Sequence, residues 1–547
     1  MSTVPPKSMN EASERDPFNS NSYGTLEDRD YLEVDLPILD VREFNETVIR
    51  GYEEGTGDKR LPADRGVARS LIPAGTAVLR DFSYVAPEIP EYIPDNCTGC
   101  MDCVTQCPDT AILGKVLAES DLNEKLEQIP DEEDRQKFEK QWSKTRKYYD
   151  GPKKKGKEGG RFAIIIDPSK CKGCAECVTV CDDLALEMIG KTENVMTDIR
   201  KSHRFFKDVG PSDEQYINDN LLIDMMLKER THIYVGGAGS CAGCGEGTAL
   251  RMLCSATGAK YGNRWGIVAA TGCNTVYTST YPYNPYLVPW TNSLFENAPA
   301  DAMGGRMRWD QMGWLENPLW CIGGDGAMFD IGFQSLSRLL ASDLNINVFV
   351  LDTQVYSNTG GQASTSTFTG QNTKMSIHGK VHNGKQERRK EIAQIAMMHP
   401  NTYVAQTTCA HTNHFYKSIL GALEYDGPAI VNCYTTCQPE HGVADNMAGE
   451  QARLAVDTRA FPILIYDPRK GNTIKKRLSL QGNPAVKDDW FKNPKTGEEI
   501  DFIHFCRSEG RFVKHFDAEG NPSETLIRSK EDRLANWRLL QELAGII

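Results

Sequence analysis

The chain has 547 residues, enough for several domains, with a formal net charge of −13 and ordinary apolar and charged fractions of 39% and 25%. That acidic balance argues against nucleic acid or an anionic membrane as the main partner, and no apolar run is long enough to span a bilayer. The start, MSTVPPKSMNEASERDPF, lacks the charged-then-apolar layout of a signal peptide; the expected location is cytoplasmic, where 17 unevenly spread cysteines read as metal or redox sites.

In chain order, residues 1–90 read as a polar, Pro-rich arm or connector, with a candidate short strand at Val34–Leu39. Residues 91–200 hold two tight cysteine groups. Between these groups, 119–160 is strongly charged, and its periodicity predicts one exposed helix followed by a flexible loop. The only basic run, Lys153–Lys155 with Lys157, falls in that loop and reads as solvated. Residues 201–232 read as a linker with one amphipathic helix in NDNLLIDMMLKER. From 233 to 470, apolar runs alternate with helical patterns, and WGIVAAT, LWCIGGD, INVFVLDT and AIVNCYT each predict a buried strand. Such alternation predicts a doubly wound α/β domain with helices on both faces of a parallel sheet. Residues 471–547 turn polar again and read as an extended C-terminal arm closed by the helix KEDRLANWRLLQELAG.

The cysteine groups are a repeat: Cys97-x2-Cys100-x2-Cys103-x3-Cys107 and Cys171-x2-Cys174-x2-Cys177-x3-Cys181. This is the spacing of bacterial two-cluster 4Fe–4S ferredoxins, in which the fourth cysteine of each run serves the other cluster. Cys97, Cys100, Cys103 and Cys181 are expected to hold one cluster, and Cys171, Cys174, Cys177 and Cys107 the other. Zinc is the alternative, but zinc sites rarely use a three-plus-one spacing. Asp182 replaces the proline of the motif; it is not a ligand position, so ligation should survive with a changed local charge. The expected fold class is therefore a doubly wound α/β domain with an inserted-type α+β two-cluster ferredoxin domain and extended terminal arms.

Two further features carry chemistry. In GSCAGCGEG, Cys241 and Cys244 form a CxxC pair, which alone is half of a metal site or a redox dithiol. The predicted strand LWCI runs into Gly323-Gly324-Asp325-Gly326 ahead of a helix-like stretch, a setting in which backbone N–H groups approach phosphate. The next strand ends in Thr353-Gln354-Val355-Tyr356-Ser357-Asn358. Adjacent parallel strands would bring both loops to one sheet edge, where open α/β sheets bind ligands. The pair matches the thiamine diphosphate signature, and Asp325, the Thr353 hydroxyl and the Val355 carbonyl suit Mg²⁺, which takes oxygen ligands together with phosphate.

As a set, GSCAGCGEG, IVAATGCNTVY, YPYNPYLVPWTNSLFENAPADAMGG, GGDGAMFDIGFQSL and VLDTQVYSNTGGQ resemble the pyruvate:ferredoxin (flavodoxin) oxidoreductase family, over about 90–470 and in the family's order. The chain looks like the carboxyl-terminal half of such an enzyme. The resemblance implies a third 4Fe–4S cluster, proximal to the thiamine, on Cys241, Cys244, Cys273 and a later cysteine, Cys437 in preference to Cys433. It also implies that Gly324, Asp325 and Gly326 with Thr271, Gly272 and Glu246 form the thiamine diphosphate cradle, that Asp325, Thr353 and Val355 bind Mg²⁺, and that the catalytic-site Asn358 lies beside thiazolium and substrate. Cys254, Cys321, Cys409 and Cys506 are isolated and read as inert packing.

The implied reaction is oxidative decarboxylation of a 2-oxo acid, pyruvate rather than 2-oxoglutarate or indolepyruvate, with coenzyme A as co-substrate and ferredoxin or flavodoxin as electron acceptor. Thiamine enzymes also need an aminopyrimidine-binding domain, and no α/β region is left over for one. A separate large subunit carrying it and the coenzyme A-related domains is the expected partner, in a hetero-oligomer built as a dimer of heterodimers. A pure electron-transfer subunit and a non-redox thiamine lyase are the competing classes. The first leaves the intact GGDG, Thr353 and Asn358 without a use, and the second leaves the clustered thiolates without one.

Overall fold

The computed structural model describes residues 41–61, 71–236, 239–379 and 381–547. The candidate strand at Val34–Leu39 lies outside them. The chain divides into two compact units, Met1–Gly239 with Tyr277–Leu287, and Ser240–Val276 with Val288–Ile547.

The first unit is built on the cysteine repeat. Its first half is β1 (Glu88–Tyr92), α1 (Asp102–Gln106) and β2 (Ile112–Ala118). After α2 (Glu119–Glu127) and α3 (Glu132–Lys140), the second half is β3 (Gly160–Ile166), α4 (Glu176–Thr179) and β4 (Leu186–Gly190). Strand β1 pairs antiparallel with β4, and β2 with β3. Each hairpin thus joins one half to the other.

The 119–160 segment departs from the expected single exposed helix. Pro130 biases Ile129 away from helix and splits the segment in two. The Asp131 carboxylate then caps α3 by accepting the Asp134 N–H at 2.8 Å, with acids in the first turn and Lys137 and Lys140 in the last. Leu122, Leu126 and Phe138 are buried on the β2–β3 hairpin, and Phe138 stacks on Phe205 of α5 (Glu193–Asp208) at 4.7 Å. The expected loop also contains a short helix, Gly151–Lys154. Residues 201–232 differ from the expected linker as well. The α-helix of NDNLLIDMMLKER is only Leu222–Met225, a 3-10 turn follows at Glu229–Thr231, and Leu222, Met225, Met226 and Leu227 are all buried.

The second unit is an eight-stranded mixed sheet. Its strands are β5 (Gly266–Ala270), β6 (Trp290–Ser293), β7 (Leu319–Gly324), β8 (Asn347–Asp352), β9 (Tyr403–Thr408), β10 (Ala429–Tyr434), β11 (Leu464–Tyr466) and β12 (Leu478–Ser479). They lie in the order β12-β11-β9-β10-β8-β7-β5-β6. Strands β5 to β10 run parallel, and β11 and β12 add an antiparallel edge. The four strands expected from apolar runs are β5, β7, β8 and β10. Strand β9 carries no such run, yet all six of its residues are buried, with Gln406 Nε2 donating to the Pro462 carbonyl at 2.7 Å.

Both faces of this sheet are covered. Leu319, Cys321, Val348 and Val350 share a core with Ala298 and Ala302 of α8 (Ala298–Gln311) and Leu336 of α9 (Phe333–Leu340). Of the alternate residues, Trp320 meets Phe349 edge-to-face, and Phe349 in turn meets Phe415 of α10 (Thr412–Leu423). Helix α6 (Gly245–Tyr261), buried from Gly245 to Ala259, packs with α10, and α7 spans Cys273–Thr278. Residues 471–547, expected as an extended arm, are built into this unit. Leu480 and, from α11 (Glu524–Ala544), Trp537 and Leu540 lie in the same core as β7 and β8. Trp490, Phe502, Phe505 and Phe512 form a second cluster with Phe368 and Tyr434.

Trp537 is fully buried, donates Nε1–H to the Asp488 carbonyl at 2.8 Å and lies under the Arg459 guanidinium at 4.2 Å. Trp537→Ala is expected to cost about 3–5 kcal/mol of stability, read from the urea midpoint at constant m-value. An unchanged midpoint would show that the C-terminal helix is not part of the cooperative core.

Candidate functional site

In the first unit, strand pairing alone dictates which cysteines meet. The chain leaves Cys181 into β4, whose partner β1 leads to Cys97. It leaves Cys107 into β2, whose partner β3 leads to Cys171. The same bond continues both ladders: Ile93 N–H donates to Ala185 O at 2.8 Å, and Asp167 N–H to Ala111 O at 2.7 Å. Cys97, Cys100, Cys103 and Cys181 accordingly line one cavity. In the other set, burial, with Cys107 acting in the same sense, pushes the Cys171 thiol up to about 12; Cys177 is raised first by burial, then by Cys174, Cys107 and Cys171. Thiolates crowded in this way need cations among them. Among the described residues, no three or more His, Cys, Asp or Glu side chains converge to hold a single metal ion. Zinc draws its sulfurs to about 2.3 Å from one point, so a cavity rimmed by four thiols suits a polynuclear cluster better.

The two cysteine loops are wound alike. Gly99 and Gly173, Met101 and Ala175, and Thr110 and Leu184 all have φ between 52° and 76°. Non-glycine residues take this left-handed region at a cost, which the surrounding structure must hold in place. The cost recurs at matched positions of both halves because each loop turns its cysteines inward in the same way.

In the second unit, β10, β8, β7 and β5 are neighbours and run parallel. Their carboxyl ends deliver Thr435–Cys437, Thr353–Asn358, Asp325 and Thr271–Cys273 to one edge, beside the point where β6 and β7 leave on opposite sides of β5. A cavity there is lined by Glu246, Thr271, Gly272, Cys273, Gly324, Asp325, Gly326, Thr353, Val355 and Asn358, all singled out from the sequence except for Cys273's place among them. Phe295, Ala327, Tyr356, Ser357 and Thr359 complete it. The chain after Asp325 enters a wide helical turn, Gly326–Ile331, closed by Gly332 N–H to Ala327 O at 2.7 Å. Gly326 is required by a neighbour: a Cβ there would lie 2.2 Å from the Tyr356 ring, whose hydroxyl donates to Gly326 O at 3.2 Å.

The oxygens at this edge suit a divalent cation. Thr353 Oγ1 lies 3.1 Å from Asp325 Oδ1, 3.0 Å from Val355 O and 2.9 Å from Ser357 Oγ. One hydroxyl proton cannot satisfy both acceptors, whereas a cation bound by all three oxygens would. Asp325 is buried, and burial, then the Asp352 charge, pushes its carboxyl above the usual range. Ser364, Ser366 and Thr353 hydroxyls pull it back, Ser366 Oγ donating at 2.7 Å. Gln354 lies in the left-handed region at φ 56°, which turns the Thr353 hydroxyl and the Val355 carbonyl toward one point. Its side chain is anchored by donation to Asp352 O at 2.6 Å and by Arg511 at 3.2 Å.

The cysteines expected beside the thiamine meet at the same edge. Burial, then Glu246, then Cys244, Cys437 and Cys241 raise the Cys273 thiol, while Cys244 feels Cys437 and Cys241. Cys433 is buried within β10, and its thiol is raised by burial and by Cys409. The glycines of GSCAGCGEG make room for the segment carrying Cys437. A Cβ on Gly243 (φ +67°) or Gly245 would lie 1.7 Å from Asp445 O or 2.5 Å from Thr436 N. Gly245 N–H donates to Thr436 O at 3.1 Å, and Gln438 Nε2 to Gly243 O.

His441 joins the two sites and has no signal in the sequence beyond its place in CQPEHG. Cys437 N–H donates to Nδ1 at 3.4 Å, so Nε2 carries the proton and donates to Thr353 O at 2.8 Å. Burial pushes the imidazole well below its ordinary range and keeps it neutral. Ser357, Ser364 and Ser366 were also unread, because loop serines are common and only the fold turns these three toward Asp325 and Thr353.

Comparison with known proteins agrees with this geometry. The family "4Fe-4S dicluster domain" matches residues 96–186, and "Thiamine pyrophosphate enzyme, C-terminal TPP binding domain" matches 270–433. The pyruvate synthase subunit PorB of Pyrococcus furiosus is 34% identical over 321 residues, 56% of this chain and 92% of that protein. The chain belongs to the pyruvate:ferredoxin (flavodoxin) oxidoreductase and pyruvate synthase family. Other relatives in the family are much longer. The probable pyruvate-flavodoxin oxidoreductase of Escherichia coli is 28% identical over 92% of this chain and 45% of its own length. The pyruvate:ferredoxin oxidoreductase of Moorella thermoacetica is 26% identical over 86% of this chain and 43% of its own length. The chain therefore spans less than half the length of these relatives. A solved 2-oxoglutarate:ferredoxin oxidoreductase from Magnetococcus marinus is 22% identical with a TM-score of 0.32. Among the described residues, no helix is long and apolar enough to cross a membrane.

On this placement, Cys437→Ser removes roughly one third of the iron of anaerobically purified protein, counting three clusters, while Cys433→Ala leaves iron content unchanged. Iron loss in the second variant alone would move the ligand to Cys433.

Proposed function

We propose that this chain is the subunit of a pyruvate:ferredoxin or flavodoxin oxidoreductase that holds the diphosphate half of thiamine diphosphate, Mg²⁺ and three 4Fe–4S clusters. The reaction is CoA-dependent oxidative decarboxylation of pyruvate to acetyl-CoA and CO₂, with electrons leaving through the clusters. The observation that carries this reading is the shared edge: Cys273 lines the same cavity as Asp325, Thr353 and Val355. An electron-transfer module would not need a diphosphate cradle there, and a non-redox thiamine enzyme would not need thiols.

Bound thiamine diphosphate supplies a nucleophilic carbon and an electron sink for loss of CO₂. The chain's own residues then have distinct tasks. Asp325, Thr353 Oγ1 and Val355 O would hold Mg²⁺ and, with it, the diphosphate, beside the turn that begins at Gly326. Tyr356 closes the cavity over Gly326. Asn358, at the exposed rim, orients the substrate. Glu246, buried at the start of α6, sets charge between the cavity and Cys244. Cys241, Cys244, Cys273 and Cys437 would hold a cluster, which would supply single-electron acceptance at the same edge. A partner subunit supplies the aminopyrimidine-binding domain, and the complex is a hetero-oligomer acting in the cytoplasm.

Two measurements test this. Asp325→Asn should weaken Mg²⁺-dependent thiamine diphosphate binding at least about tenfold by calorimetry; equal affinity would remove Asp325 from the cradle. The chain combined with its partner should reduce ferredoxin or flavodoxin with pyruvate and CoA, and the chain alone should not. Reduction driven only by another 2-oxo acid, or turnover by the isolated chain, would refute the corresponding part of the proposal.

A further inference from the structure

Because the two cysteine loops share one backbone, their side chains can be compared position by position. In each half, the residue after the first cysteine reaches the aspartate two places beyond the fourth cysteine of the other half. Around Cys97, Thr98 Oγ1 donates to Asp183 Oδ2 at 2.6 Å. Around Cys171, Lys172 Nζ pairs with Asp109 Oδ1 at 2.8 Å. The acids match and their partners do not. The Thr98–Asp183 contact is exposed, whereas the Lys172 and Asp109 side chains are only 4% and 3% exposed. Lys172 Nζ also lies 5.0 Å over the Phe82 ring. Asp182 adds a further negative charge to the first site, where Pro108 is its neutral counterpart. Among the described residues neither Asp182 nor Asp183 has an ion-pair partner.

A buried ion pair is a poor source of stability, since desolvation offsets the Coulomb gain. Its field on a neighbouring charge is another matter, because solvent screens it weakly. Each cluster that accepts one electron becomes one charge more negative, with no bond or proton change. Burial opposes that added charge, and more so at the second site, where Cys107, Cys171 and Cys177 are buried; at the first, Cys100 is exposed. Asp109, two residues from Cys107, adds to that opposition, and the Lys172 cation held 2.8 Å from it acts in the opposite sense.

We propose that Lys172, held by Asp109, raises the reduction potential of the cluster bound by Cys107, Cys171, Cys174 and Cys177, and that the Lys172–Thr98 difference at matched positions sets the two ferredoxin-type clusters apart. The inference rests on the two-cluster reading of the first unit and not on the 2-oxo acid chemistry.

The test is an anaerobic potentiometric titration of the full chain with dithionite, followed by electron paramagnetic resonance, with iron content measured alongside. Lys172→Thr should lower one cluster's midpoint by a tenfold change in its reduction equilibrium, 59 mV for one electron, and Lys172→Arg should restore it. Thr98→Lys, at an exposed site facing Asp183, should raise the other cluster's midpoint. Unchanged potentials in an iron-replete Lys172→Thr protein overturn the proposal. If that variant loses iron, Thr98→Lys decides, and an unmoved midpoint there overturns it. Absence of two such clusters in the unsubstituted chain would instead sink the two-cluster reading itself.

Discussion

In a parallel sheet every strand points the same way, so whatever follows each strand is delivered to one edge. The second unit depends on this constraint. Strands β10, β8, β7 and β5 are consecutive in the sheet though not in the chain, and their ends bring Cys437, Thr353, Asp325 and Cys273 together. No contact among these residues needs to be strong for them to meet. The cores on both faces, with Leu319, Cys321, Val348 and Val350 on one and Trp320 and Phe349 on the other, fix the register, and the register fixes the site.

The first unit solves an equivalent problem by antiparallel pairing between repeats. Here the spacing of eight cysteines was legible in the sequence, and so was the crossing of the fourth cysteine to the other half, because both follow from the repeat. The left-handed Met101, Ala175, Thr110 and Leu184 were not legible: no propensity favours a methionine or leucine there, and only the packed loops enforce it. Nor was the Lys172–Asp109 pair. It joins residues from different halves, and it becomes visible only when the two halves are superposed in thought as one motif.

Elsewhere the limits of sequence reading have a common cause. Strands rich in Val, Ile and Leu announce themselves, and the four so marked are strands. Strand β9 hides because half of its buried residues are polar: Gln406, Thr407 and Thr408 are satisfied by the Pro462 carbonyl and Asn432, by His414 and by His411. The charged 119–160 stretch and the polar C-terminal region read as solvated because their apolar residues are sparse. Sparse is not exposed: Phe138, Trp490, Phe502 and Trp537 each reach a core through an otherwise polar segment. An average over composition cannot see a single large side chain placed at the right helical position. The glycines of GSCAGCGEG make the same point. Their purpose is set by Thr436 and Asp445, residues far along the chain that need the space.

The two sites at the sheet edge are joined by more than proximity. The neutral His441 ring accepts from the backbone of Cys437 and donates to the carbonyl of Thr353, so a thiol expected to hold iron and a hydroxyl expected to hold magnesium hang from opposite ends of one rigid plane. Below it, Arg511 binds both Glu509 and Gln354, the strained residue that turns Thr353 and Val355 inward. Glu509 accepts in turn from Tyr434 at the end of β10, two strands' width of hydrogen bonding away from Asp325. His441, Thr353, Gln354, Arg511, Glu509 and Tyr434 are all buried, so none of them can relax into water. A shift of the diphosphate-side loop must therefore be felt at Cys437, and the distance between the two chemistries is fixed by packing rather than left to the bound groups.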